Sequence, residues 1–423
     1  MPIDHNKRAT PSAQGWKKGL IRAAGWLALS FSPLSWSMGD AVTPVMPSVS
    51  LHGFGTLGAT RTNEENARFI RDLSQPDGAG SQWNGRVDSL LGIQANVHFS
   101  PRTEGVLQAV TRYHADASYQ PELTWAFLRH DLAPDFSLRA GRLGTEFYML
   151  GDSRLVGYSN ISLRPPPDFY GSLVFSYIDG VDASATLPVA SGLLKGKLFV
   201  GKSPEKASFA PGIPWDLSGS LLIGGYLDYQ IGPWQLRLSQ AQVQFKNEQP
   251  VDALLRANGD PLNGWPYLTM MPDMTMTDQR AHFSSLGLVF DQGPLNIQFM
   301  VNQIMHDSPA YASAKAGYVL AAYRLGAMTP YVGVSRNFSD LALLPTSPVP
   351  GVDQLTQSLV SQSYTDQSTY TLGARWDFKK NLAVKAQVDW LRGKPTSVFL
   401  VKGTQPGWDG NMTVFSLALD FVF

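Results

Sequence analysis

The chain has no cysteine in 423 residues. That removes a disulfide framework, thiolate metal centres and a cysteine nucleophile together. It also lacks any stretch of about 18 apolar residues, so it encodes no helical membrane span. Charged side chains make up only 16%, and 34 basic residues balance 34 acidic ones, which leaves no electrostatic case for a nucleic-acid partner. The seven histidines stand at no spacing that ties one to a nearby serine, so no hydrolytic constellation is visible and the chain reads as a non-enzyme. His52 and His98 fall in alternating runs as interior or interfacial residues, and neither a metal nor a cofactor is expected.

What is present is alternation. Met412 to Phe423 reads M-T-V-F-S-L-A-L-D-F-V-F, with Phe415, Leu417, Leu419, Phe421 and Phe423 on one row and Ser416, Ala418 and Asp420 on the other. Only a strand presents a period of two as two faces. The apolar row runs to the terminal carboxylate without a cap, and an open edge of that kind invites aggregation unless the sheet closes on itself. A two-faced strand of about 10 residues is the unit of a transmembrane β-barrel, and closure pairs this strand with the first. At the other end, Lys17, Lys18 and Arg22 precede the apolar run Ala23 to Leu34 and the small residues Ser35, Ser37 and Gly39, the layout of a secretory signal peptide. Residues 1–39 are therefore expected to be removed and residues 40–423 to form the barrel. Cleavage discards Lys7, Arg8, Lys17, Lys18 and Arg22 but only Asp4, leaving a mildly acidic chain.

Gly53, Gly55 and Gly58 match a G-x-G-x-x-G dinucleotide fingerprint, but they lie inside an alternating run with no helix opening at them. Glycines so placed mark bends or close approach of neighbouring groups. Beyond them, short connections rich in Gly, Pro and Asn (Ser100 to Arg102, Gly232-Pro233, Lys379 to Asn381) alternate with long polar ones, the former placed at the periplasmic side. The runs between them number about sixteen strands, an even count as both termini in the periplasm require. A basic residue on the lipid face costs about 2–4 kcal/mol near the midplane, which fixes the facing wherever charges alternate. Tyr370, Leu372, Trp376 and Phe378 then face lipid while Arg375 and Asp377 face the lumen; Val384, Val388 and Trp390 face out while Lys385 and Asp389 face in. Arg112, Arg139, Lys195, Lys197, Arg237, Asp182 and Asp228 are inward by the same rule. A barrel of this size with a charged interior of both signs leaves an aqueous channel.

Gly144 to Asp179 is too apolar for a free loop: Phe147, Tyr148, Met149 and Leu150 sit among Glu146, Asp152, Arg154, Arg164 and Asp168, and Pro165-Pro166-Pro167 stiffens the far arm. The L-R-A-G-R strand end at Leu138 to Arg142, the loop that follows it with its R-P-P run, and the terminal Phe423 together resemble the general porins of Gram-negative outer membranes. The resemblance implies an all-β transmembrane antiparallel barrel whose third external loop folds inward and constricts the pore. It implies a channel for passive diffusion of small hydrophilic solutes and ions, seated in the outer-membrane bilayer as a homotrimer. Phe423, with Phe421, would be the signal read by the barrel assembly machinery. The family's eyelet opposes loop carboxylates to basic wall residues; by position these are Glu146, Asp152 and Asp168 against Arg112, Arg139 and Arg142. Lys195, Lys197, Arg237, Arg375, Lys385, Asp377 and Asp389 would line the pore. Strict alternation from Arg139 turns Arg142 outward near the rim, against its place in that set. The same charges also serve simply to tie the loop to the wall, and both roles are compatible. A substrate-specific channel is the alternative: an anion pore calls for a ladder of inward Arg and Lys, a carbohydrate pore for a row of inward aromatics.

Overall fold

The computed structural model describes residues 47–172, 174–210, 212–259, 261–340, 344–361, 363–396 and 400–423. The expected leader, 1–39, lies outside the described residues. Sixteen antiparallel strands close into one barrel. In chain order they are β1 Ser48–Thr62, β2 Leu90–Ser100, β3 Thr103–Arg112, β4 Glu122–Ala133, β5 Phe136–Gly144, β6 Tyr177–Val189, β7 Gly192–Lys202 and β8 Leu221–Ile231. The second half comprises β9 Trp234–Gln244, β10 Arg280–Gln292, β11 Leu295–His306, β12 Ala314–Tyr323, β13 Met328–Ser339, β14 Asp366–Lys379, β15 Leu382–Gly393 and β16 Asn411–Val422. Each strand pairs with its sequence neighbours, and β1 pairs with β16 to complete the ring.

The closing seam explains the glycines of β1. Backbone bonds join Gly53 and Phe423 in both directions, at 2.8 and 2.9 Å. The Phe421 and Phe423 rings stack with centroids 6.4 Å apart and lie over Gly55 and Gly53, where an added Cβ would come within 2.4 and 2.1 Å of a ring carbon. The recess a glycine leaves on a strand is filled by a cross-strand aromatic, so G-x-G here is a seat for the last two aromatic side chains.

At one end the strands are joined by tight turns, several with a left-handed residue, among them Gly232, Gly293 and Gly326 with φ of 53°, 59° and 63°. The opposite end carries the long connections. These are built rather than loose: Lys206–Ala210 pairs with Ile213–Asp216, Arg68–Phe69 pairs with Val401–Lys402, and helices span Val251–Ala257 and Val352–Ser361. The wall has the facing that charge placement requires. Leu198, Leu57 and Val332 are exposed on the outside, while Lys385, Asp389 and Asp420 are buried within. β2 begins at Leu90, and the residues before it form a turn closed by the Ser89 N–H donating to the Gly85 carbonyl at 3.1 Å. There the Ser89 hydroxyl bonds both the N–H and the carbonyl of Gly58, standing in for a ladder pair, and Asp88 is delivered to the lumen.

Candidate functional site: a loop clamped across the lumen

Residues 145–172 and 174–176, between β5 and β6, run through the barrel interior and are held at three places. The first is the wall formed by β5 to β9. Inward rows of adjacent strands set Arg139 beside Asp182, with Nε 3.0 Å from the carboxylate, and Arg237 beside Asp228 at 2.8 Å. Glu146, two residues past the end of β5, enters this row. It accepts from Lys197 at 2.5 Å, from the Tyr226 hydroxyl at 2.8 Å and from Arg139 at 3.1 Å. Burial works to raise its pKa, but Lys197 and Arg139 outweigh burial and hold the carboxyl well below its ordinary range. Arg237 stacks on the Tyr226 ring at 4.1 Å, so the wall is a continuous mixed-charge network.

The second hold is apolar. Phe147 packs on Phe199 and Phe283 with centroids 5.5 and 5.8 Å apart, and Tyr148 meets Phe283 edge-on at 4.7 Å. Further along, the single helical turn Pro167–Tyr170 lies against β12 to β14, where the Tyr170 hydroxyl donates to the Met149 carbonyl at 2.7 Å and so ties the two arms of the loop together. Asp168 is buried here and accepts from the Ser335 hydroxyl at 2.6 Å and the Gln367 amide at 2.7 Å. Burial raises its pKa.

The third hold is on the far wall, β13 to β16 and β1. The Lys385 ammonium, fully buried, bonds the carbonyls of Gly157, Asn160 and Ser162 at 2.7, 2.7 and 3.0 Å and lies 2.9 Å from Asp420. Arg375 donates to the carbonyls of Tyr158 and Asn160 at 2.7 and 2.9 Å while paired with Asp377. Leu163 N–H is received by Tyr331 and Gln387 at 3.1 and 3.0 Å. Arg164, with no exposed side-chain surface, reaches Asp88 of the first loop at 2.7 Å and Asp389 of β15 at 3.0 Å, and donates to Ser416 at 2.5 Å. At Asp88, burial pushes the pKa up, and Arg164, together with Arg71 and the Thr60 hydroxyl, more than reverses it.

The residues expected at a constriction divide accordingly. Glu146 and Arg139 come together. Arg112 instead pairs with Asp72 of the first loop at 3.3 Å and bonds Ser74 at 3.0 Å. Arg142 projects from the outer side of β5, where it pairs with Asp179 at 2.7 Å and covers Tyr177. Asp168 has no cation within 4.0 Å among the described residues, and Asp152 is exposed with no ion pair there. Of the expected pore lining, Lys197 and Arg237 are neutralised on the wall, Lys195 faces the Tyr226 ring at 6.0 Å, and Lys385 and Asp389 are covered by the loop. Arg164 and Asp88 carry more of the clamp than sequence spacing conveys. Their one signal is the residue before Pro165-Pro166-Pro167, which prolines restrict to extended backbone and so present at a fixed angle.

No family model matches the chain, and no curated protein matches it by sequence. Solved structures do. The anion-selective porin from Comamonas acidovorans superposes with a TM-score of 0.54 at 14% identity, over 89% of this chain and 100% of that one. The barrel has the porin fold. OmpF of Salmonella typhi, in complex with daunomycin, matches at 0.54 and 12% identity over 89% and 97% of the two chains. The outer membrane channel DcaP of Acinetobacter baumannii matches at 0.52 and 10% over 91% and 100%.

Proposed function

We propose that this porin-fold barrel is an outer-membrane channel through which small hydrophilic solutes and ions diffuse passively, its width set by the loop between β5 and β6. The observation that carries the reading is the clamp. A loop held inside a closed barrel by Lys197 and Lys385 on opposite walls, and by its own buried Arg164, is a fixed obstruction with a charged edge, which is what a size filter needs. The mixed wall, in which Lys197, Arg139 and Arg237 are each matched by Glu146, Asp182 or Asp228, favours weak ion preference over a dedicated anion ladder. Export through residues 1–39, recognition of Phe423 by the barrel assembly machinery and assembly into a homotrimer belong to the same proposal. One structural neighbour, OmpT of Vibrio cholerae, is described in a trimer form.

A planar-bilayer recording tests it. Stepwise conductance with a permeability ratio below about tenfold in a salt gradient is expected. Absence of conductance from heat-modifiable, folded protein refutes the channel, and a ratio above tenfold refutes weak selectivity.

A further inference from the structure

Near the long-loop end, the inward row of β9 to β11 departs from the rest of the lumen. Val243, Ala281, Phe283 and Ile304 face in, where β14 and β15 present Arg375, Lys385 and Asp389. Apolar surface turned to a wet interior is unfavourable unless something covers it. Phe147 and Tyr148 cover part. Above them a partly open chamber of about 100 Å³ remains, walled by Phe175, Trp215, Phe245, Phe283 and Tyr311, with Ala281 and Ala312 leaving the space. Trp215 and Phe245 stack at 5.2 Å with an interplanar angle of 18°. Among the described lining residues His306 buries a ring nitrogen, Nδ1, that has no hydrogen-bond partner, and the buried Tyr148 hydroxyl is shared with Ser172.

We propose that this chamber is a binding subsite for one planar, uncharged aromatic ring of a solute, an inference that rests on the channel reading above. The volume decides first: an apolar cavity of about 150 Å³ admits benzene, and a somewhat smaller one that is open on one side admits a ring whose substituent stays outside. The lining decides next. Flat aromatic walls receive a flat ring edge-on or offset. A pyranose brings several hydroxyls, each needing a partner on entering a dry site, and among the described residues the chamber offers one unpaired buried nitrogen, on His306. That nitrogen suits a ring with a single hydroxyl, which can donate to it.

The test uses the full chain in detergent micelles with 4-fluorobenzyl alcohol as probe, read by fluorine NMR. Binding to the protein is expected to saturate, to be competed by benzyl alcohol and not by glucose, and to weaken at least tenfold in Ala281→Phe and in Ala312→Leu, which fill the chamber from a strand and from a loop. His306→Phe is expected to weaken the alcohol several-fold more than fluorobenzene. Non-saturating uptake, wild-type affinity in both filled variants that remain heat-modifiable, or competition by glucose overturns the proposal, the last in favour of a sugar site. Conductance measured in parallel separates the two readings: a conducting barrel without ring binding sinks only the subsite, and ring binding without conductance sinks only the channel.

Discussion

Arg164→Met is the sharpest perturbation of the clamp. Methionine keeps the unbranched stem as far as the Nε position and removes the guanidinium, leaving Asp88 and Asp389 with side chains 2% and 3% exposed and no cation between them, with Arg71 the remaining positive charge acting on Asp88. Removing one partner of a buried ion pair costs about 3–5 kcal/mol, chiefly because the other charge stays buried, whereas replacing all members by neutral groups is near neutral. Since about 1.4 kcal/mol is a factor of ten, the single variant shifts the balance between clamped and released loop by two to three and a half decades, or roughly 10²- to 10³·⁵-fold. The Lys385 hold remains, so release is local to the Arg164 arm. Two readouts follow. The urea midpoint for loss of the heat-modifiable form falls, and single-channel traces become noisier with larger maximal conductance. In Arg164→Met/Asp88→Asn/Asp389→Asn, most of the lost stability returns. A triple variant no more stable than the single one would falsify the orphaned-charge reasoning, and a single variant as quiet and stable as wild type would show that the arm is held elsewhere.

Glu146→Gln removes the loop carboxylate that is ion-paired with Lys197 and Arg139. A unit charge at 4 Å is worth about 1 kcal/mol in water, so the permeability ratio is expected to move toward anions by several-fold at most, with the sugar size cutoff unchanged in liposome swelling. Glu205, which accepts the N–H groups of Ser176 and Tyr177 at 2.6 and 3.1 Å, has its pKa raised by burial to about 7. Folding therefore favours its protonated form: its contribution is complete below the ordinary glutamate value and declines as pH rises toward 7, by about 1.4 kcal/mol per unit. Glu205→Gln is expected to match wild type near pH 4.5 and exceed it in urea midpoint at pH 8; equal slopes against pH in both proteins contradict this. Deleting Phe423 empties the seat at Gly53 and both seam hydrogen bonds, and lowers the yield of heat-modifiable protein in membranes. Unchanged yield argues that the seam closes without its last ring.

Sequence alone determined the wall. The alternation of Tyr370 to Phe378 and of Leu382 to Trp390 is local, and misfacing Arg375 or Lys385 carries so large a penalty near the midplane that one register survives. For the same reason strict alternation turned Arg142 outward, and the unbroken apolar row ending at Phe423 required closure onto β1. Tertiary structure decided which charges meet. Arg164 finds Asp88 and Asp389 at separations of 76 and 225 residues, and Arg112 finds Asp72 of the first loop rather than a carboxylate of the third. A period of two states the face on which a side chain lies but not its depth along the barrel, nor which loop arrives above it. That is also why Lys385 and Asp389, inward in either view, turn out to be covered by the loop, and why an aromatic chamber assembled from β9 to β12 and several loops left no mark in any one stretch of chain.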